Sequence, residues 1–288
     1  MTTSPPDRAA RRCHNVLNPL HSTHYFSPDL APALAEVGVT DSRAGYFAVR
    51  AAALGRVEAA TVTATFYNFR HELVAAHLPA VWEQASPEQV LGARLRAVDA
   101  TLRRLLGQEA LESAELAEAA GLAQRATEAC APHARPLYAA HARLPVPEEP
   151  HLALWHAATL LREYRGDAHL ALLLAAGLDP VEALVSHTAT GKGMSPKWVL
   201  GTRGWSQEDW DAAVGRLQER GILDASGELS QEGLAMRKEL ELATDRLDAA
   251  PYTHLGTEGV ARLTELATGF VTTAFTNGAF PADMIGKD

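Results

Sequence analysis

The stretch TRGWSQEDWDAAVGRLQERGILDASGELSQEGLAMRKEL, residues 202–240, decides the predicted fold of the C-terminal part of this chain. Ser206 is a residue type that caps helix N-termini, and apolar residues recur from Trp210 onward at the spacing of one helical face. Gly221 suits the left-handed conformation with which many helices end. The pattern therefore predicts an amphipathic helix over residues 207–220.

A tight turn and a longer helix follow. Residues 222–224 and 228–230 are short arms on either side of the turn residues 225–227, which predicts a β-hairpin. Residues 231–249 have the pattern of a long helix. Upstream, Ser195-Pro196 marks the start of a short helix. Helix, short helix, helix, hairpin and helix is the order of a winged helix-turn-helix.

The rest of the chain has helical patterns. One apolar stripe runs from Val62 to Leu73 at helical spacing, and Ser86-Pro87 marks another helix start. We predict a mainly α fold, with a helical, bundle-like body followed by a winged helix-turn-helix with one short β-hairpin. The predicted segments are a flexible tail (1–12), an N-terminal helical domain (13–143), a Pro-rich connector (144–150), a helical pair packing on the body (151–190), a winged-helix module (191–250) and a C-terminal helix and tail (251–288).

The composition agrees with a packed helical protein. Of 288 residues, 47% are hydrophobic and 21% are charged, and this length favours two domains. The two cysteines have no zinc-binding spacing. Residues 1–12 lack the apolar core of a secretory signal, and no apolar run is long enough to span a bilayer. We therefore expect a cytoplasmic protein with no membrane partner.

The charge pattern leaves DNA binding open. The formal net charge is -9, whereas nucleic-acid binders concentrate positive charge. The first turn of the predicted recognition helix carries Glu208 and Asp209 where base readers need basic or amide side chains. Lys192, Lys197 and Arg203 are the candidates for phosphate contacts. The alternative is a winged helix retained as a packing or dimerisation module.

Histidines near the N-terminus form the first candidate site. His21 and His24 are three residues apart in PLHSTHYFSP, so a helical turn would place them on one face. Together with His156 they are candidate metal ligands, and one of them is a candidate axial ligand of haem. The alternative is a short loop whose histidines cap or pack.

The densest polar cluster lies in WHAATLLREYRGDAH, residues 155–169. On one continuous helix, His156, Glu163 and Asp167 share a face. A histidine with two carboxylates suits general acid–base catalysis or metal binding, so these three are the candidate catalytic residues. Arginines in the same segment offer the alternative of structural ion pairs.

A ligand pocket in the helical body is the third candidate site. Tyr67 can donate a hydrogen bond, Arg50 is a lone cation among apolar residues that suits an anionic ligand, and His187 precedes the winged helix. The predicted ligand-binding residues are His21, Tyr25, Arg50, Tyr67, Asn68, Arg165, His169 and His187.

Five segments together carry a family resemblance: PLHSTHYFSP (19–28), GYFAVRAAALG (45–55), TATFYNF (63–69), EPHLALWHAATLLREYRGDAH (149–169) and TRGWSQEDWDAAVGRLQERGILD (202–224). They resemble an actinobacterial helix-turn-helix family in which a helical N-terminal domain precedes a MarR-like winged helix. The resemblance implies the fold more strongly than an activity, because members are mostly named without an assigned function.

Two functions follow as hypotheses. The first is a small-molecule-binding winged-helix protein of the transcription-regulator type, acting as a homodimer with a small-molecule ligand and with DNA as a further candidate partner. The second is an enzyme of specialised metabolism that uses a metal, haem or acid–base chemistry, with the winged helix as scaffold or dimer interface. The sequence leaves the ligand, the reaction and the cofactor open.

Overall fold

The computed structural model describes residues 8–281, and this part of the chain is mainly α-helical, as predicted. In chain order the helices are α1 (Ala9–Ser22), α2 (Leu30–Ala35), α3 (Ser42–Ala51), α4 (Ala59–Phe66), α5 (His71–Ala75), α6 (Val81–Gln84), α7 (Pro87–Leu106), α8 (Gln108–Leu111), α9 (Ala114–Thr127), α10 (Pro136–Ala142), α11 (Pro150–Ala175), α12 (Pro180–Thr188), α13 (Pro196–Arg203), α14 (Gln207–Glu219), α15 (Gln231–Leu247) and α16 (Ala249–Thr276). Two 3-10 turns span Thr23–Phe26 and Ala52–Leu54.

Two predicted helix starts are confirmed by their caps. The Ser86 hydroxyl accepts from the Gln89 backbone N–H at 3.3 Å, and the Gln89 side chain accepts from the Ser86 N–H at 2.9 Å, which opens α7. Ser206 and Asp209 form the same reciprocal pair at the start of α14. These caps satisfy N–H groups that have no partner within the helix.

One predicted helix has different bounds in the structure. The stripe from Val62 to Leu73 is not one helix, because α4 ends at Phe66 and Tyr67 adopts the left-handed region at φ 61°. Helix α11 runs through Gly166 without a break, so His156, Glu163 and Asp167 lie on one continuous helix. A glycine inside a helix costs only about 1 kcal/mol relative to alanine, and the long apolar segments on either side outweigh it.

The described chain divides into two compact units. The first contains residues 8–57, 79–168 and 245–280, and the second contains residues 58–78 and 169–244. The predicted tail over residues 1–12 lies mostly outside the described residues, and α1 already begins at Ala9. Residues 282–288, part of the predicted C-terminal tail, also lie outside. The finer division made from the sequence stays a prediction.

The first unit is a set of packed helices around one apolar core. Helix α16 packs against α1 and α9. Fully buried leucines fill the space between the helices, among them Leu17 of α1, Leu116 of α9 and Leu263 of α16. Such burial contributes about 1.5–3 kcal/mol for each large apolar side chain and is the main source of stability.

The second unit is built around α12, α13 and α14. Its core includes Val185, Val199 and Leu217, one from each of these helices. Helices α13 and α14 are joined by a three-residue turn in which Gly204 has φ 82°. A Cβ on Gly204 would lie 2.8 Å from the Cβ of Leu73, so the close approach of these segments requires glycine.

The predicted β-hairpin after α14 is not present in the described residues. Leu223 and Leu229 form one isolated antiparallel bridge, with hydrogen bonds from Asp224 N to Glu228 O at 2.8 Å and from Ser230 N to Ile222 O at 3.0 Å. The second arm is too short for a ladder, because α15 begins directly after Ser230. This segment is therefore a bridged turn between α14 and α15.

Among the described residues no single helix has the length and hydropathy to cross a membrane, and only α11 and α12 taken together pass that test, across a bend of 104°.

Candidate functional site

A buried group of aromatic and histidine side chains lies in the first unit. His21 Nδ1 is 2.8 Å from the Thr159 hydroxyl, and its Nε2 is 3.3 Å from the Tyr25 hydroxyl. Thr159 donates its own proton to the Trp155 carbonyl at 2.9 Å, so His21 donates through Nδ1 and accepts through Nε2. The imidazole also stacks on Trp155 with ring centroids 5.6 Å apart. Both ring nitrogens of His21 are therefore engaged.

His24 has one satisfied ring nitrogen. Its Nδ1 is 2.7 Å from the His21 carbonyl oxygen, which can only accept, so Nδ1 carries the proton. Burial lowers the pKa of His24 to about 3, and the Arg94 guanidinium acts in the same direction. The ring is thus neutral at pH 7, with an accepting lone pair on Nε2. This atom is buried without a hydrogen-bond partner among residues 8–281.

Arg94 of α7 is the main residue that the sequence prediction missed. It is 5% exposed and donates from Nη1 to the Val49 carbonyl at 2.8 Å and to His141 Nε2 at 3.2 Å. Its guanidinium lies over the Trp155 ring at 5.2 Å, and its Nε has no hydrogen-bond partner in the described chain. Burial lowers the pKa of Arg94 to about 10, so it remains a cation at pH 7.

We define the arginine–histidine cluster as His21, His24, Arg94, His141 and Glu163. His141, also missed from the sequence, donates through Nδ1 to the Leu137 carbonyl at 2.9 Å and thus offers Nε2 to Arg94. Burial and the Arg94 charge lower the pKa of His141 to about 4. The histidines are neutral, so Arg94 and Glu163 determine the charge of the cluster.

Glu163 interacts with two arginines beside the cluster. Burial alone would raise the pKa of Glu163, but Arg162 and Arg50 outweigh it and lower that pKa, so Glu163 is ionised. Arg162 also contacts the Asn18 side chain, and Arg50 donates to the Tyr46 hydroxyl at 3.3 Å. Glu163 therefore lies in the electrostatic field of both arginines.

The candidate catalytic residues of α11 have separate roles. His156 is buried, and burial together with the nearby Arg94 lowers its pKa to about 4. Asp167 accepts from the Tyr138 backbone N–H at 3.0 Å, at the first turn of α10. Burial raises the pKa of Asp167 to about 6. Asp167 therefore acts as a long-range cap for α10, and Glu163 pairs with Arg162 at 3.4 Å.

The predicted metal site is not supported. No group of three His, Cys, Asp or Glu side chains within residues 8–281 has an arrangement that could hold a metal ion. His21 is already hydrogen-bonded through both nitrogens, so its lone pair is not available as a ligand. The arrangement of residues 8–281 therefore gives no support to His21, His24 and His156 as metal ligands, and that assignment stays a prediction.

The predicted ligand-binding residue Arg165 makes ion pairs within the first unit. Its Nη1 lies 2.9 Å from Asp245 Oδ1 and 3.3 Å from Asp248 Oδ2. Arg11 pairs with the same Asp245 at 2.5 Å. Burial, opposed by Arg165, raises the pKa of Asp248 to about 7. Arg165 thus pairs with half-buried Asp245 near the end of α15 and with buried Asp248 just before α16.

Four of the predicted ligand-binding residues lie in the second unit. The Tyr67 hydroxyl donates to the Leu178 backbone carbonyl. The backbone carbonyl of Asn68 accepts from Trp205 Nε1 at 2.9 Å. The other two residues contact α15: His169 Nδ1 lies 2.9 Å from the Thr244 hydroxyl, and His187 Nδ1 lies 3.0 Å from Arg237 Nη2. These contacts hold the segments of the second unit together.

The candidate DNA-contacting residues also lie in the second unit. Lys192 and Lys197 are exposed, one before α13 and one in its first turn. Arg203 is engaged elsewhere, with its guanidinium 4.5 Å from the Phe69 ring centroid and hydrogen-bonded to the Thr202 hydroxyl at 3.0 Å. Of the three residues, the two lysines are those with an exposed charge.

The exposed face of α14 is acidic. Glu208, Asp211 and Glu219 are exposed, whereas Arg216 pairs with Asp179 at 2.6 Å and with Glu182 at 3.0 Å. The second unit as a whole has thirteen acidic and eight basic residues over residues 58–78 and 169–244. This surface has the wrong sign for insertion into a DNA groove.

Two helices joined by a short glycine-containing turn, with the second helix packed on a preceding one, define a helix-turn-helix protein. Comparison with protein families agrees: a helix-turn-helix family model matches residues 10–281, and the chain belongs to this family. No curated protein and no solved structure gives a significant match. Helix-turn-helix families are typical of DNA-binding regulators.

Proposed function

We propose that this protein is a small-molecule-binding winged-helix protein of the transcription-regulator type, with its ligand site in the first unit. The observation that carries the proposal is the arginine–histidine cluster, because two of its buried polar atoms, His24 Nε2 and Arg94 Nε, have no hydrogen-bond partner among residues 8–281. Burying a polar group without a partner costs about 1–3 kcal/mol, and a ligand that satisfies both atoms recovers that cost.

The winged-helix and MarR-like assignments rest on the order of elements in the second unit. Helices α12, α13 and α14 are followed by the bridged turn and α15, and the bridged turn takes the place of a wing. The actinobacterial family resemblance and the homodimer are part of the same proposal, and both rest on analogy with MarR-like proteins. A cytoplasmic location agrees with this function.

We expect contact with DNA to be made mainly through phosphates. Lys192 and Lys197 present exposed charges at the N-terminal end of α13, while the exposed acidic residues of α14 disfavour base contacts by this helix. Each lysine that neutralises a phosphate adds about 0.9 to the slope of log K against log salt concentration. The double substitution Lys192→Ala/Lys197→Ala should therefore reduce that slope by about 2.

The test is gel retardation of the DNA upstream of the protein's own gene, at several salt concentrations, against a shuffled sequence. Lys238→Ala is the matched control, because Lys238 is an exposed lysine of α15 in the same unit. The proposal predicts preferential retardation of the upstream DNA, weakened by the double substitution and not by the control. Equal retardation of both DNAs, or none at low salt, would contradict it.

A second candidate function is an enzyme with the winged helix as scaffold, and the acidic exposed face of α14 favours it. In this case acid–base chemistry would come from His156 and Glu163, because Asp167 already caps α10. A protein that retards no DNA but turns over a substrate should lose turnover in His156→Ala and Glu163→Gln. His254→Ala is the control, because this histidine is exposed and pairs with Glu128.

A further inference from the structure

Helix α13 presents a basic surface in the second unit. Residues 192–203 contain three basic residues and no acidic residue. Lys192 and Lys197 are exposed, and neither side chain makes an ion pair within residues 8–281. An open cleft of about 230 Å³ runs along this helix, and we define the α13 cleft by its lining residues Ser195, Lys197, Trp198, Gly201 and Thr202. The surface therefore combines positive charge with an accessible aromatic side chain.

Helix α14 presents the opposite charge. Residues 207–219 contain four acidic residues and one basic residue, Arg216, which already pairs with carboxylates of the same unit. At 100° per residue one face of α14 contains Ala212 and Gly215 and the exposed acidic residues Glu208, Asp211 and Glu219. These three carboxylates make no ion pair with the described part of the chain. The acidic face of α14 therefore has unpaired charges and no bulky side chain between them.

The two surfaces are complementary in charge and belong to the same chain. Residues 192–219 contain four basic and four acidic residues, so this segment has no net charge in a chain whose formal net charge is -9. Two copies of the segment can therefore pair opposite charges without a net repulsion between them. In a two-fold dimer both copies contribute the same surface, and each contact occurs twice. Consecutive helices with opposite charge suit such a reciprocal contact.

We propose that α13 and α14 form a self-association surface, on which the α13 cleft of each copy binds the acidic face of α14 of a second copy. In this contact the two lysines lie against the carboxylates, and Trp198 packs on the small residues Ala212 and Gly215. Tryptophan is enriched among the residues that dominate protein–protein binding. The inference goes beyond the proposed function, and it implies that DNA and a second copy compete for Lys192 and Lys197.

The size of the surface predicts a weak dimer. Helix α13 has 8 residues and α14 has 13 residues. Their lengths are therefore about 12 Å and about 20 Å. One face of two such helices is small beside the roughly 800 Å² that each partner buries in a standard stable interface. The contact should thus be reversible and sensitive to salt, because exposed charge pairs are screened by ions.

The experiment is sedimentation velocity of the full-length protein over a range of protein concentrations. From about 0.1 M to about 1 M salt the Debye length falls from about 10 Å to about 3 Å. We expect a monomer–dimer equilibrium whose dissociation constant rises at least about tenfold over this range. A protein that stays monomeric at the lower salt concentration, or a dimer that does not respond to salt, would overturn the proposal.

Charge reversal identifies the surface. Lys192→Glu/Lys197→Glu makes the α13 surface acidic, and Asp211→Lys/Glu219→Lys makes the face of α14 basic. Glu208 stays in place, because a negative charge in the first turn stabilises a helix. Each variant alone should self-associate at least about tenfold more weakly than the wild type, because like charges then face each other. An equimolar mixture of the two variants should form a heterodimer, because each surface meets its opposite.

Two reversals outside the surface are the matched controls. Lys238→Glu in α15 and Glu258→Lys in α16 each reverse an exposed charge and should leave self-association unchanged. Far-UV circular dichroism checks the folding of each variant, and the corresponding neutral substitutions to Gln or Asn replace any variant that does not fold. Those neutral variants should also weaken the dimer. Equal effects of the controls and the surface variants, or no heterodimer in the mixture, would contradict the assignment.

The outcomes are distinguishable from those of the proposed function. Dimerisation that depends on the charges of α13 and α14, without specific retardation of DNA, would support this inference and overturn the regulator function. Specific retardation of DNA by a protein whose self-association does not depend on these charges would leave the regulator function standing and overturn the inference.

Discussion

Asp248 gives the first unit a stability that decreases as pH rises. The carboxylate is buried, with Oδ2 paired to Arg165 at 3.3 Å and Oδ1 without a hydrogen-bond partner among the described residues. Burial, reinforced by Asp245 and opposed by Arg165 and Arg135, raises its pKa from 3.8 to about 7. Between these values the folded chain holds a proton that the unfolded chain has lost, so stability falls as pH rises through this range.

The magnitude follows from the shift. Each pKa unit corresponds to about 1.4 kcal/mol, so the whole rise is worth about 4 kcal/mol, of which about 3 kcal/mol is lost between pH 5 and pH 8. Asp248→Asn keeps the shape of the side chain but cannot ionise. The variant should match the wild type at pH 4 and become the more stable of the two by up to about 3–4 kcal/mol at pH 8.

The assay is urea unfolding followed by far-UV circular dichroism at unit steps from pH 4 to pH 8. Asp211→Asn serves as the control, because Asp211 is an exposed carboxylate of α14. Its pH profile should run parallel to that of the wild type. Parallel profiles for wild type and Asp248→Asn would refute the reasoning, since they would mean that Asp248 does not hold a proton in the folded state at neutral pH.

Two further substitutions test the second unit. Gly204→Ala should destabilise it by about 2–4 kcal/mol in urea unfolding, because a left-handed backbone and a contact with Leu73 both oppose a Cβ. Gly215→Ala is the control: its added Cβ would meet no atom within 4 Å, so this substitution should be neutral or stabilising. Glu182→Ala should cost about 1–3 kcal/mol, because buried Glu182 accepts from Arg216 at 3.0 Å and from Arg220 at 2.9 Å. An equal loss in Glu219→Ala, an exposed residue of α14, would contradict this role for Glu182.

Local signals made much of the fold predictable. Ser86 and Ser206 open helices where the cap pattern placed them, and the residues after Gly221 form a turn into a long helix. The hairpin prediction was wrong, because α15 begins directly after Ser230 and leaves the second arm too short for a ladder. The stripe from Val62 to Leu73 predicts Tyr67 inside a helix, but Tyr67 has a positive φ, and its hydroxyl donates to the Leu178 carbonyl, which is distant in the sequence.

The site was predictable only in part. The sequence indicates His21, Arg50 and Glu163 as candidate site residues, because they are polar residues within apolar segments. The sequence pattern also indicates Arg94, because it lies three residues after Leu91 and four before Val98, on the apolar stripe of α7. A side chain on such a stripe points into the core, so an arginine there requires a buried partner. The role of Asp167 as a cap for α10 could not be seen, because its partner is a backbone N–H of another helix.

The buried charge of Arg94 is the strongest argument that the first unit binds a ligand. Arg94 donates to a neutral histidine and a backbone carbonyl and makes no ion pair with a carboxylate among residues 8–281. Its lowered pKa reflects the cost of burial, which Glu163 offsets only in part. The same unit places Asp245 and Asp248 beside Arg165, so its packing can accommodate acidic side chains next to an arginine. An arginine without such a pair therefore differs from the structural arginines of this unit. An anion beside Arg94 would supply the missing charge, and it would make the folded first unit more stable when the ligand is bound.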